Sequence, residues 1–117
     1  MATTTRTPQE VFQHHAEVLV AGDMEGILSD YADDAVFITP AGSVRGRDGI
    51  RQGFEKVMGD LGNAKLDVPT VIFDGDILLI EWTAEGDGVH VADGIDTFVF
   101  EDGMIRAQTV RYTLRRD

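Results

Sequence analysis

The chain of 117 residues contains no cysteine, which excludes disulfide bonds, a thiol nucleophile and any metal site built on cysteine. No apolar run approaches the ~18 residues that a membrane-spanning helix needs, and Met1–Thr7 lacks the apolar stretch of a signal peptide. Ten Lys and Arg face 21 Asp and Glu, for a net charge of −11, which disfavours nucleic acid and anionic membranes as partners. We therefore expect a cytoplasmic protein that binds neither.

The composition is that of an ordinary globular protein, with 43% hydrophobic and 26% charged residues. It predicts one domain over residues 1–117, in which residues 1–7 form a flexible lead-in. Helical patterns come first and β-patterns joined by tight turns follow, which indicates an α+β fold with a long antiparallel meander. The predicted helices are 8–21, 24–31 and about 50–58, and the predicted strands are 35–39, 64–73, 77–85, 89–100 and 104–114.

The first helix has a clear start signal. Thr7 suits the N-cap, Pro8 the first helical position, and Glu10 the third position of a capping box. His15 falls in the middle of the apolar stripe of this helix and is predicted to face inward. That stripe is formed by Val11, Phe12, Val18 and Leu19.

Asp96 is the most informative residue of the predicted strands. Side chains alternate between the two faces of a strand, so Asp96 shares its face with Phe98 and Phe100. A carboxylate on an apolar face is costly unless it has a partner or becomes protonated. The sequence therefore predicts a polar partner for Asp96 inside the fold.

Both faces of the predicted sheet are partly apolar. Over residues 77–85, Leu78 and Ile80 point to one side, whereas Ile77 and Leu79 point to the other. One face is expected to hold the helices, and the other predicts a homodimer formed through the sheet. The alternative is that these residues are scattered surface apolar side chains, which are common.

Five segments of the chain form a recognisable series: Gly22–Leu28, Tyr31-Ala32-Asp33-Asp34-Ala35-Val36, Pro40–Gly42, Gly46–Ile50 and Phe100–Ile105. Together they resemble the SnoaL-like and ketosteroid-isomerase-like branch of the nuclear-transport-factor-two-like superfamily. The resemblance implies a cone-shaped fold, in which a curved antiparallel sheet wraps around three N-terminal helices and a small-molecule pocket opens between them.

The resemblance also implies site residues. Asp96 matches the oxyanion-hole Asp of ketosteroid isomerase, and His15 stands where that family has its oxyanion Tyr. Thr39 stands where the family has its base Asp, and Phe54 where some members carry a supporting Tyr. Other side chains that the resemblance points at the cavity are Phe37, Ile80, Trp82, Phe98, Gln108, Val110 and Tyr112.

The resemblance also implies that His15 and Asp96 are neighbours, because the family residues at these two positions share one ligand oxygen, so His15 is the expected partner of Asp96. Such a pair in an apolar cavity can transfer protons, with His15 as the acid/base and Asp96 as its orienting partner or as an acid in its own right. The leading hypothesis is a cofactor-independent enzyme of isomerase, cyclase or dehydratase type, acting on a small apolar molecule with a carbonyl or hydroxyl group. The alternatives are a protein that binds such a molecule without turnover, a dimeric interaction module with a relic cavity, and, for His15, a satisfied core histidine. His14 and His90 are assigned to the rim or to solvent, and no metal site is predicted.

Overall fold

The computed structural model describes residues 5–117. Helix α1, Pro8–Ala21, begins as its sequence predicts: the Thr7 hydroxyl accepts the Glu10 N–H at 3.1 Å, and the Glu10 carboxylate accepts the Thr7 N–H at 2.8 Å. The helix ends at Gly22, whose φ of 69° lies in the left-handed region that favours glycine. Of the predicted lead-in, residues 1–4 lie outside the described residues, and Arg6 is bonded to Asp30.

Three helices and seven strands make up the described chain. The predicted second helix ends earlier, the first strand begins at Tyr31 rather than at residue 35, β2 was not predicted, and the last predicted strand stops at Arg111. The other elements are α2 Met24–Ser29, β1 Tyr31–Thr39, β2 Gly42–Arg45, α3 Gly46–Leu61, β3 Lys65–Asp74, β4 Ile77–Gly86, β5 Val89–Glu101, β6 Met104–Arg111 and β7 Arg115–Arg116.

The strands form one curved, unclosed sheet in the order β2-β1-β6-β5-β4-β3, with β7 added to β5. The predicted α+β class is confirmed. Within residues 5–117, the pairing of β1 with β6 is parallel and the other strand pairings are antiparallel, so the sheet is mixed where the prediction had it wholly antiparallel. The parallel pairing explains the early start of β1, because Tyr31 already pairs with Ile105.

The concave face of the sheet packs on the helices and forms the core. On β4, Leu78, Ile80, Trp82 and Ala84 are buried, and the residues between them are not, which confirms the predicted alternation. On β5, Phe98 and Phe100 are buried on the same side. Within residues 5–117, no helix is both long and apolar enough to cross a membrane.

Candidate functional site

Asp96 lies on the concave face of β5, between Ile80 of β4 and Val110 of β6, and is only 8% exposed. Two uncharged donors hold its carboxylate. Trp82 Nε1–H donates to Oδ1 at 2.9 Å, and Gln108 Nε2–H donates to Oδ2 at 2.9 Å. The polar partner that the sequence required is therefore a pair of N–H groups from the two neighbouring strands.

Tyr31 extends this network by one bond. Its hydroxyl donates to Gln108 Oε1, so the amide group of Gln108 must turn its N–H toward Asp96. Burial, and then the charges of Asp96 and Asp30, raise the pKa of Tyr31 well above its ordinary value, which keeps the hydroxyl protonated. Nothing in the local sequence around Tyr31 indicates this contact, because its partner lies 77 residues away along the chain.

The environment of Asp96 sets its pKa. Burial raises the pKa, while the bonds from Trp82 and Gln108 lower it, and the result is a pKa of about 6 instead of 3.8. Within residues 5–117, Asp96 forms no salt bridge with Lys or Arg. At neutral pH the site thus contains a mostly ionised carboxylate that is more basic than an ordinary Asp.

Gly94 gives Trp82 the space it needs. The two residues are strand partners, and a Cβ atom built on Gly94 would lie 2.3 Å from Trp82 Cδ2 and Cε2. The indole therefore lies flat across the β5 backbone, where only glycine leaves room. This position brings Nε1 to Asp96.

His15 is buried, as predicted, but it is not paired with Asp96. Its ring packs edge-to-face against Tyr31, Phe54 and Phe98 at centroid distances of 5.6–5.8 Å. Burial lowers the pKa of His15 to about 4, and its Nδ1 has no hydrogen-bond partner in the described part of the chain.

The expected pairing of His15 with Asp96 is not found in the structure, which corrects the prediction made from the sequence. The carboxylate of Asp96 is held by Trp82 and Gln108, and the helical stripe fixes which way His15 points but not how deep it sits between the rings. An imidazole with so low a pKa is neutral at pH 7 and therefore cannot act as a general acid there, although its one N–H can still donate a hydrogen bond.

His14, assigned to the rim or solvent, makes the polar contact instead. Its Nδ1 lies 2.8 Å from both carboxylate oxygens of Asp30, a residue with 0% exposure. Arg6 Nη1 donates to the same carboxylate at 2.9 Å, and its Nη2 donates to the carbonyl of Gly103 at 2.9 Å. This ion cluster ties the start of the chain to the β5–β6 turn, and sequence reasoning missed it.

Most of the other predicted cavity residues are part of the packed core. Two keep partial exposure, Thr39 and Tyr112. The Tyr112 hydroxyl donates to Asp60 Oδ2 at 2.9 Å, and its ring lies 5.4 Å from that of Trp82. The buried members are Phe37, Phe54, Ile80, Trp82, Phe98, Gln108 and Val110.

A cavity of about 240 Å³ opens between the β1–β2 hairpin and α3. Of the predicted residues it includes Phe37 and Thr39, with Lys56 at its rim. Thr39 Oγ1 accepts the Ala41 N–H at 3.1 Å, so this side chain stabilises the hairpin turn. A second cavity of about 310 Å³ lies beside Arg6 and Phe100, away from Asp96.

Within residues 5–117, no three His, Asp or Glu side chains come together in a way that could hold a metal ion. The described polar groups of the site are a carboxylate, an amide, an indole N–H and phenol hydroxyls. This set suits hydrogen bonding and proton transfer rather than metal binding.

The sequence of residues 12–108 matches the SnoaL-like domain. The chain belongs to the SnoaL-like domain family. This assignment confirms the resemblance expected from the sequence. No curated protein is similar enough to this SnoaL-like chain to be matched with it.

Solved structures share the fold at low sequence identity. An NTF2-like protein of unknown function from Cytophaga hutchinsonii is 16% identical, with a TM-score of 0.76 over 97% of this chain and 95% of its own. A SnoaL-like protein of unknown function from Burkholderia thailandensis is 17% identical, with a TM-score of 0.73 over 96% and 99%. TerC, co-crystallised with polyporic acid, is 20% identical, with a TM-score of 0.75 over 91% of both chains. These likenesses show the fold alone.

Proposed function

We propose that this SnoaL-like protein binds a small, largely apolar molecule with a carbonyl or hydroxyl group and catalyses proton transfer on it without a cofactor. The reaction is of isomerase, cyclase or dehydratase type. The observation that carries the proposal is the carboxylate of Asp96, buried on the concave face of the sheet and held by two neutral N–H donors.

Asp96 is the proposed base. With a pKa of about 6 it is mostly ionised at pH 7, and once protonated it is acidic enough to return the proton within the same turnover. Trp82 and Gln108 bond its oxygens while lone pairs remain for a substrate proton. Because both carboxylate oxygens accept an N–H, the geometry favours a proton acceptor over the oxyanion donor that the resemblance implied.

His15 is proposed as a second polar group of the site rather than as the base. Its Nδ1, which lacks a partner in the described chain, is available to bond a ligand oxygen or a water molecule. The rate of catalysed proton transfer should then rise with pH through about 6, as Asp96 ionises. The pH–rate profile should show no second step from the titration of a histidine.

The residues proposed to bind the ligand fall into two groups. Trp82 and Tyr112 form an aromatic wall beside Asp96, whereas Phe37 and Thr39 line the cavity between the β1–β2 hairpin and α3, whose lining does not include Asp96. The volume of that cavity, about 240 Å³, is slightly below that of an ordinary ligand pocket, which favours a small ligand. The remaining proposed contacts are Phe54, Ile80, Phe98, Gln108 and Val110.

The test is exchange of the protons next to the carbonyl of β-tetralone in D₂O, followed by NMR. Wild type should catalyse the exchange, and Asp96→Asn should lose it while Trp82 fluorescence still reports binding of the ketone. Glu101→Gln, an exposed carboxylate on the same strand, is the matched control and should exchange normally. Equal exchange in Asp96→Asn and wild type would reject Asp96 as the base.

Binding without turnover is the second candidate. Thr39 stands at the position that the resemblance gives to the catalytic base, and its hydroxyl is bonded to the hairpin turn, which favours this reading. A ligand such as β-tetralone or polyporic acid would then quench Trp82 fluorescence saturably, with no exchange in any variant.

We further propose a homodimer formed through the convex face of the sheet. One row of strand partners crosses five strands there and consists of apolar and threonine side chains: Ile72, Leu79, Thr97, Thr109 and Ile38. Ile72 is 57% and Ile38 43% exposed, and a second copy of the chain packed on this face would bury both.

The cytoplasmic location expected from the sequence stays a prediction.

A further inference from the structure

Residues 112–117 form a strap that follows β6 and crosses the sheet toward the far end of β5. At its start, Tyr112 lies against Trp82 and donates to Asp60 of α3 at 2.9 Å. Since Trp82 itself bonds Asp96, Tyr112 connects the start of the strap both to the hydrogen-bond partner of Asp96 and, through Asp60, to α3.

The rest of the strap is held by surface contacts. Thr113 bonds the carboxylate of Asp93 twice, through its N–H at 2.8 Å and its hydroxyl at 2.7 Å. Strand β7 pairs with only two residues of β5, and the Asp117 N–H donates to the Gly88 carbonyl at 3.2 Å. A ladder this short depends on its side-chain contacts.

His90 joins the strap to the sheet. Its Nδ1 lies 2.6 Å from Glu85 Oε2 on β4, and its Nε2 lies 3.1 Å from Asp117 Oδ1 on the strap. The charged residues at the adjoining strand positions are Arg115, the partner of His90 on β7, and Lys65, the partner of Glu85 on β3. A neutral imidazole has one N–H, so only the protonated ring donates to both carboxylates at once.

We propose that the strap is a gate over the Asp96 site and that His90 is its latch, closed while the imidazole is protonated and released when it loses the proton. The assignment of Asp96 as the base rests on the proposed function, whereas the gate rests on the strap contacts alone.

The direction of the pH effect follows from the latch. The bonds to Glu85 and then Asp117 raise the pKa of His90 above its ordinary value in the closed state. The latch is therefore fully effective below the ordinary value of 6.5 and is lost as the pH rises through the raised value. Exposed ion pairs change such an equilibrium by about 1.4- to 5-fold, so the strap should open more often at alkaline pH without detaching fully.

Trp82 reports the opening, because it is the single tryptophan of the chain and lies beneath Tyr112. We would measure acrylamide quenching of its fluorescence between about pH 5 and about pH 9, in an Asp96→Asn background that removes the titration of Asp96. The Stern–Volmer constant should rise by about 1.4- to 5-fold across the His90 titration. Adding His90→Gln should abolish the rise.

Two more variants complete the experiment. In the same Asp96→Asn background, Asp117→Asn should give the higher quenching already at low pH. His14→Gln, which removes a carboxylate-bonded histidine on α1 that does not contact the strap carboxylate, should keep the rise. The proposal is overturned if quenching does not change with pH, if the rise survives His90→Gln, or if far-UV circular dichroism is lost in parallel, since the opening would then be unfolding. No substrate is needed, so failure of the gate and failure of Asp96 as a base are separate results.

Discussion

Gly94→Ala tests whether the position of Trp82 sets the basicity of Asp96. The new Cβ would lie 2.3 Å from the indole, where ordinary contact begins at 3.4 Å, so the ring must move by at least about 1.1 Å away from β5. Asp96 stands on the same strand, and the Trp82 Nε1 to Asp96 Oδ1 distance of 2.9 Å would lengthen beyond hydrogen-bond reach.

The expected change in the pKa of Asp96 follows from the loss of one hydrogen bond to a charged group, which contributes about 1.5–3 kcal/mol. Because this bond lowers the pKa of Asp96, its loss should raise that pKa further, by at least the factor of ten in proton affinity that about 1.4 kcal/mol represents. Base-catalysed exchange at pH 7 should fall, since a smaller fraction of Asp96 is ionised.

The assay is NMR titration of the carboxyl carbon of Asp96, together with the indole N–H signal of Trp82. Gly59→Ala is the control, because it lies in α3 with nothing within 4 Å of the added Cβ. It should leave Asp96 unchanged and stabilise the helix by about 0.5–1 kcal/mol. An unchanged pKa of Asp96 and an unshifted indole signal in Gly94→Ala would refute the reasoning, because the backbone would then have absorbed the methyl group.

Three further predictions concern stability and assembly. His15, with a pKa of 6.5 when unfolded and about 4 when folded, lowers stability by about 3 kcal/mol as the pH falls across that interval. Asp96, with a pKa of 3.8 when unfolded and about 6 when folded, raises stability as the pH falls over nearly the same range. In urea unfolding at acid and neutral pH, His15→Leu and Asp96→Asn should therefore change the pH dependence of the free energy of unfolding in opposite directions. Changes in the same direction would contradict both assignments. Ile77→Lys, on the convex face, should convert a dimer into monomers in sedimentation experiments, whereas Val20→Lys, at 85% exposure on α1, should not; equal behaviour would argue against the sheet interface. Arg6→Met removes one partner of a fully buried carboxylate and should lower the free energy of unfolding by about 1–3 kcal/mol, and an unchanged urea midpoint would show that the cluster contributes nothing.

Much of the fold was readable from local signals. The Thr7 to Glu10 capping box and the hairpin turns depend on residues a few positions apart, and the structure contains them where they were predicted. The N-terminal half of β1 was not readable, because its pairing with β6 and the burial of Asp30 beside it depend on residues 16 to 77 positions away.

The sequence predicted several residues of the candidate site correctly, but it did not predict which hydrogen bonds join them. Strand alternation put Asp96 on an apolar face, the resemblance pointed Trp82 and Gln108 at the cavity, and the structure joins these three by hydrogen bonds. The resemblance also made His15 the expected partner of Asp96, and the helical stripe that supported this pairing shows which way His15 faces but not how deep it sits. The register of β4 on β5, which sets Trp82 opposite Gly94, depends on one irregularity between Trp82 and Ala84 that no local pattern in this sequence reveals.

The one parallel pairing of the sheet has a consequence for how the chain folds. Ile38 and Thr109 are neighbours in the sheet but lie about 70 residues apart in the chain, so β1 has no inner neighbour until β6 has formed and the intervening loop has closed. During synthesis, the hairpin of β1 and β2 must wait while β3, β4 and β5 assemble. A nascent chain stalled before β6 would leave the inner edge of β1 open, and that edge is where aggregation of an incomplete chain should begin.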